Sequence, residues 1–173
     1  MWPIEPRPAC ETIESMPTER SDSQVQRAAE PLILAGVSDL VGKDLSPTTV
    51  EFDSGARVQV DGVDADESVF VEVFAHQGAL KGGQPKKVSN DALKLITLGR
   101  SRPDARLIIA FADEAAAAYA TKGTWLSQAL ATWGVEVVVV DLDQTVRDGI
   151  SAAQVRQQMV NPEASAPSDA ELD

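Results

Sequence analysis

Apolar residues recur at helical spacing through 25–42, VQRAAEPLILAGVSDLVG, and predict a first helix. Ser21, Asp22 and Ser23 supply candidates for its N-cap, and Gly42 a stop. Pro31 falls inside the pattern and predicts a kink or a second start there. The period then drops to two. TTVEF reads as a strand, Asp53-Ser54-Gly55 as a tight turn, and ARVQVDG as a second strand antiparallel to the first. After the acidic connection 63–68 comes VFVEVFA, a third strand with apolar residues on both parities, as expected where both faces are covered. A glycine-rich loop, HQGALKGGQP, leads into a helix over KKVSNDALKLITLG, with Val88, Ala92, Leu95 and Ile96 on one face and Gly99 closing it. RLIIAFAD is a fourth strand. EAAAAYATKGTWLSQALATWG is helical in two pieces broken near Gly123, and the β-branched run VEVVVVDLD predicts a strand in the sheet interior with helices on both sides. A last helix is expected over SAAQVRQQMV.

This order of elements predicts an α/β fold, a three-layer α/β/α sandwich around a mixed sheet. One domain over 22–160 accounts for the length. The first 21 residues, with four prolines, read as a mobile arm, and 161–173 as a disordered acidic tail. The first strand is not followed by a Gly-rich turn, and GxxxxGK[ST] is absent, so nucleotide-binding classes built on those loops have no support.

Charge changes the picture locally more than globally. The net charge is −12, which argues against tight, sequence-blind binding to nucleic acid, because such affinity comes from phosphate neutralisation. The segment 81–106 runs the other way: Lys81, Lys86, Lys87, Lys94, Arg100, Arg102 and Arg106 face only Asp91 and Asp104. That segment can steer a nucleic acid into a cleft, or it can be a solvated helix face. Cys10 is the single cysteine and leaves no internal disulfide, and the N-terminal stretch lacks the pattern of a secretory signal. A cytoplasmic protein, not a membrane one, is the expectation.

The candidate chemistry lies in the meander. Asp61 ends the expected second strand, and Glu72, with ten residues between, sits mid-way along the third. Antiparallel neighbours on a short loop can bring two such carboxylates to one place, where hard oxygen donors suit Mg²⁺ or Mn²⁺.

At these residues the chain resembles the PD-(D/E)XK nuclease superfamily, the restriction-endonuclease-like fold, over roughly 22–112. The resemblance implies a core of helix, three-strand meander, helix and strand. It implies a metal-dependent hydrolase of DNA, less readily of RNA, in which an Asp and a strand carboxylate bind metal and a Lys two positions later orients water. Asp61 and Glu72 match the first two positions. Phe74 stands where the lysine is expected. Members of the superfamily move that lysine to a neighbouring element, and Lys87 and Lys94 lie seven apart, two turns of one helix face. Glu30, on the first helix, is the implied third metal ligand. Lys81, Gln84 and Lys86 are candidates for binding substrate, and Asn90 and Asp91 for positioning phosphate. A noncatalytic binding or assembly module on the same scaffold is the alternative, as is an unrelated α/β protein with an incidental acidic meander.

Each of these residues also has a plainer reading. Asp61-Gly62 is a strong turn pair. Glu72 between two valines is costly in a strand unless paired or metal-bound. His76 reads as a loop histidine or a proton shuttle, and Asp64, Asp66 and Glu67 as a solvated acidic loop or a source of one metal ligand. Trp125 and Trp133, eight apart, are expected in the core or at a dimer contact, with base stacking as the sharper alternative; a homodimer or larger assembly follows from the contact reading.

Overall fold

The computed structural model describes residues 22–160; the expected arm and tail lie outside the described residues. The elements are α1 (Asp22–Val41), β1 (Ser46–Glu51), β2 (Arg57–Val63), β3 (Val69–Phe74), α2 (Gln84–Ser101), β4 (Arg106–Phe111), α3 (Glu114–Thr121), α4 (Trp125–Thr132), β5 (Val135–Val139) and α5 (Gln144–Val160). The strands form one sheet in the order β1-β2-β3-β4-β5. β1, β2 and β3 are antiparallel neighbours, while β3, β4 and β5 run parallel. Each parallel step needs a crossover, supplied by α2 and then by the α3–α4 pair.

Alternation along β3 divides the core. Phe70 and Phe74 pack with Val88, Leu95 and Leu98 of α2 and with Leu126 and Leu130 of α4. Val69, Val71 and Val73 pack on the other side with Ala29, Ile33 and Val37 of α1 and Ile150 of α5. All six residues of β3 are buried, because both faces are covered. The result is a three-layer α/β/α fold around a mixed sheet, in the order helix, three-strand meander, helix, strand. Gly62 lets α1 approach closely: a Cβ there would collide with Leu34. At Gly123 the chain takes φ +65° between α3 and α4, which a residue without Cβ adopts freely.

Several expectations are corrected. α1 is one continuous helix through Pro31, whose ring is exposed where it costs no core packing. β5 is an edge strand, with Glu136 and Val139 exposed; its β-branched run reflects cover from one neighbour and the helices, not an interior place. Gly99 lies inside α2, seated on Leu107, and the helix ends at Ser101. α5 starts at Gln144, a turn and more before the expected helix. Trp125 and Trp133 are exposed at 69% and 55%, so neither is a core residue; Leu126 and Leu130 fill that layer instead. No helix among the described residues is long and apolar enough to cross a membrane.

Candidate functional site where the second and third strands part

β2 and β3 pair only at Gly62↔Val71 and Val63↔Phe70, at the end nearest their connection. Beyond that they splay. β2 also carries an irregularity against β1: Ser46 faces Val63 and Thr48 faces Val60, so one extra residue lies on β2 around Asp61 and Gly62. Bulges of this kind re-aim a side chain. The Asp61 carboxylate turns into the gap and accepts the Val73 backbone N–H at 2.9 Å, in place of a strand carbonyl. Asp61 therefore stands within β2 and not in a turn.

Glu72 lies on β3 and is 2% exposed. Its partner comes from α2: Lys94 Nζ is 2.7 Å from Glu72 Oε1 and 3.7 Å from Asp91 Oδ1. The Lys94 contact is an ion pair at an oblique angle, and among the described residues Glu72 Oε1 has no well-aligned hydrogen-bond donor. Burial pushes the Glu72 carboxyl up to about 8, the Lys94 ammonium pulls it back only in part, and the charges of Asp61 and Asp91 push it further up. Two helical turns before Lys94, Lys87 Nζ donates to Asp91 Oδ2 at 2.9 Å and sits 5.2 Å from the centre of the Phe74 ring. α2 thus brings two ammonium groups over the stretch of β3 that carries Glu72 and Phe74. Burial works against the charge on Lys87, but Asp91 beside it, with Asp61 and Glu72 further off, leaves its pKa raised. Glu30, half-buried on α1, is raised by burial and then by Asp61, with Lys87 and Arg27 opposing.

The remaining candidates are placed differently. Gln84 is used internally: its Oε1 accepts the Lys81 backbone N–H at 2.7 Å, and its Nε2 lies 3.0 Å from His76 Nδ1. His76 is half-buried, and burial lowers its pKa against the opposing pull of a backbone hydrogen bond and Asp113. Lys81, Lys86 and Asn90 are exposed. Of the basic segment, Lys87 and Lys94 pair within the site, Arg102 pairs with Glu67 and Arg106 with Glu136; Lys81, Lys86 and Arg100 make no ion pair among the described residues. Asp64 belongs to no solvated loop. It is 6% exposed and serves the β2–β3 connection. Arg27 and Gln59, which the sequence did not single out, line a cavity with Glu30 and Asp61.

The donor types suit a hard divalent cation: Asp61, Glu72 and Glu30 are carboxylates, Asp61 raises the proton affinity of both others, and Glu72 Oε1 is buried without an aligned donor. They do not already converge, since among the described residues no group of three or more His, Cys, Asp or Glu side chains forms a cation site.

Fold and site together define a three-layer α/β protein whose sheet opens at a carboxylate–lysine centre. No protein-family model matches the chain, and no curated protein matches it in sequence. Among solved structures it is similar to one described as EndoMS in apo form, at 12% identity and a TM-score of 0.36, over 74% of this chain and 49% of that one. The chain thus spans about half the length of that neighbour. The functional reading stands on the side chains alone.

Proposed function

We propose that the chain is a metal-dependent phosphodiesterase of the PD-(D/E)XK kind, acting on DNA and less readily on RNA. The observation that carries this reading is Lys94 Nζ at 2.7 Å from a buried strand carboxylate, Glu72. An amine on α2 stands in for the lysine missing at Phe74. Asp61 and Glu72, with Glu30 assisting, would hold Mg²⁺ or Mn²⁺, which supplies a water of lowered pKa and neutralises charge on a phosphoryl oxygen. Asp61 is aimed by its bond from Val73 N, which uses one of its two carboxylate oxygens. Lys94 is held between Glu72 and Asp91 and orients the attacking water, while Lys87, anchored by Asp91, neutralises phosphate charge at the mouth. The depth of Glu72 keeps bulk water from competing for its oxygens.

The test is nicking of plasmid DNA in Mn²⁺ or Mg²⁺, with chelator and Lys94→Ala controls. Cleavage that chelation and Lys94→Ala both abolish supports the reading; cleavage indifferent to Lys94→Ala removes its basis. The second reading, a noncatalytic binding or assembly module, is favoured by the ion pairs that occupy most of the basic segment. Protein that binds DNA yet leaves it intact under both metals selects it.

A further inference from the structure

Beside the site, between α1 and the β1–β2 pair, lies a cavity of about 650 Å³ that shares Glu30 and Asp61 with it. Its walls are aliphatic: Pro31, Leu34 and Ala35 from α1, Leu45 and Pro47 from the approach to β1 and its start, and Val73 from β3. Its polar lining is mostly acidic or neutral, with Asp39, Asp44 and Gln59 against the single cation Arg27. A phosphate backbone is repelled by such a lining and gains nothing from its walls. A nucleobase has the opposite character: uncharged, apolar on both faces, and edged with amines and carbonyls that carboxylates and an amide recognise.

We infer that this cavity takes an unpaired nucleobase next to the bond to be cut, so that the preferred substrate is a single strand or a duplex in which one base has left the stack. The inference rests on the nuclease reading and deepens it. Duplex DNA offers its charge on the outside and hides its bases, and this chain, with an isoelectric point near 4.4, has few cations to spend on that charge. Base burial supplies affinity in their place. Asp44 and Gln59 are the residues placed to favour bases bearing an exocyclic amine, because a carboxylate can only accept and an amide can do both.

The experiment uses the full chain carrying Lys94→Ala, to prevent cleavage, with Mn²⁺ present. Two single-stranded oligonucleotides are titrated, alike except that one carries 2-aminopurine at its centre and the other an abasic site there. Expected are a rise in 2-aminopurine fluorescence on binding and roughly 10-fold weaker binding of the abasic strand, in line with loss of one buried base. Adding Ala35→Phe, at an exposed helix position where the new ring fills the cavity without entering the core, should erase that difference. Gln59→Ala, also at an exposed position, should weaken the base-bearing strand about 5-fold and leave the abasic strand unchanged. Equal binding of the two strands by the Lys94→Ala protein overturns the base pocket and leaves the nuclease reading standing. Failure to bind either strand overturns the base pocket as well, and plasmid nicking by the unaltered protein then decides the nuclease reading.

Discussion

Two carboxylates in this molecule are buried almost equally and treated in opposite ways. Asp64, 6% exposed, accepts four hydrogen bonds: from Lys43 Nζ at 2.6 Å, the Ser68 hydroxyl at 2.8 Å, and the backbone N–H groups of Ser68 and Val69 at 2.7 and 2.8 Å. Burial alone would raise its pKa, and these bonds reverse that and hold it well below the ordinary carboxylate range. Glu72, 2% exposed, has one oblique ammonium at Oε1 and no aligned donor to that oxygen among the described residues, and burial pushes its carboxyl up to about 8. A fold that satisfies one acid so fully, only a strand away, had the means to satisfy or remove the other. Asp64 staples the β2–β3 connection. Burying Glu72 carries a cost that a bound cation would relieve, which is what the proposed function expects of it.

The largest test of this contrast is kinetic. Lys94→Ala should cut nuclease turnover by roughly 10²-fold or more, since it removes a charge that acts on the reacting centre. Its unfolding midpoint in denaturant at neutral pH should stay close to the parent's, because the Glu72 carboxyl, pushed up to about 8, already holds its proton there and leaves no bare charge when its partner goes. Asp64→Ala should show the reverse: a loss of about 3 kcal/mol in denaturant titration, from stranded donors around a buried position, with turnover per folded molecule retained. Equal damage from both variants to both quantities would dissolve the distinction. Arg106→Ala sets the lower bound: it breaks an exposed pair with Glu136 on the β4–β5 edge and should cost under about 1 kcal/mol, less still in high salt.

The element order was legible because each segment's period matches its packing: two in β1 and β2, a continuous apolar run in β3, and 3.6 in α2. The place of β5 was not, since a β-branched run reads alike at an edge and in a sheet interior. Trp125 and Trp133 mark a face, but nothing in their spacing says whether another element covers it. The acidic loop misled because the partner that buries Asp64, Lys43, lies 21 residues earlier. Lys87 and Lys94 were visible as one helix face; which of them meets Glu72 depends on where α2 crosses β3. Asp61 was read as a strand end or a turn, and the bulge that turns it into the gap leaves no mark in composition. The cavity lining of Arg27 and Gln59 had no signal of its own, because it is assembled from a helix and a strand that only tertiary packing brings together.

Stability as a function of pH, with and without Mn²⁺, tests most directly whether Glu72 is there for a cation. Burial pushes the folded carboxyl up to about 8 from the ordinary 4.5, so the native state binds the extra proton between these values. Stability from this group is therefore full below about pH 4.5 and is lost as pH rises through 8, at up to about 1.4 kcal/mol per unit. Asp64, with its pKa depressed, contributes the other way: its stabilisation is present above the ordinary carboxylate value and fades as pH falls. Glu72→Gln removes the first dependence only. In chelator, the account predicts that wild type and Glu72→Gln unfold alike at pH 5, that the variant is the more stable at pH 8.5, and that Mn²⁺ at pH 8.5 raises the wild type alone. A Glu72→Gln protein less stable than wild type at every pH, with no gain from Mn²⁺ in either, would make Glu72 a structural residue and contradict the account.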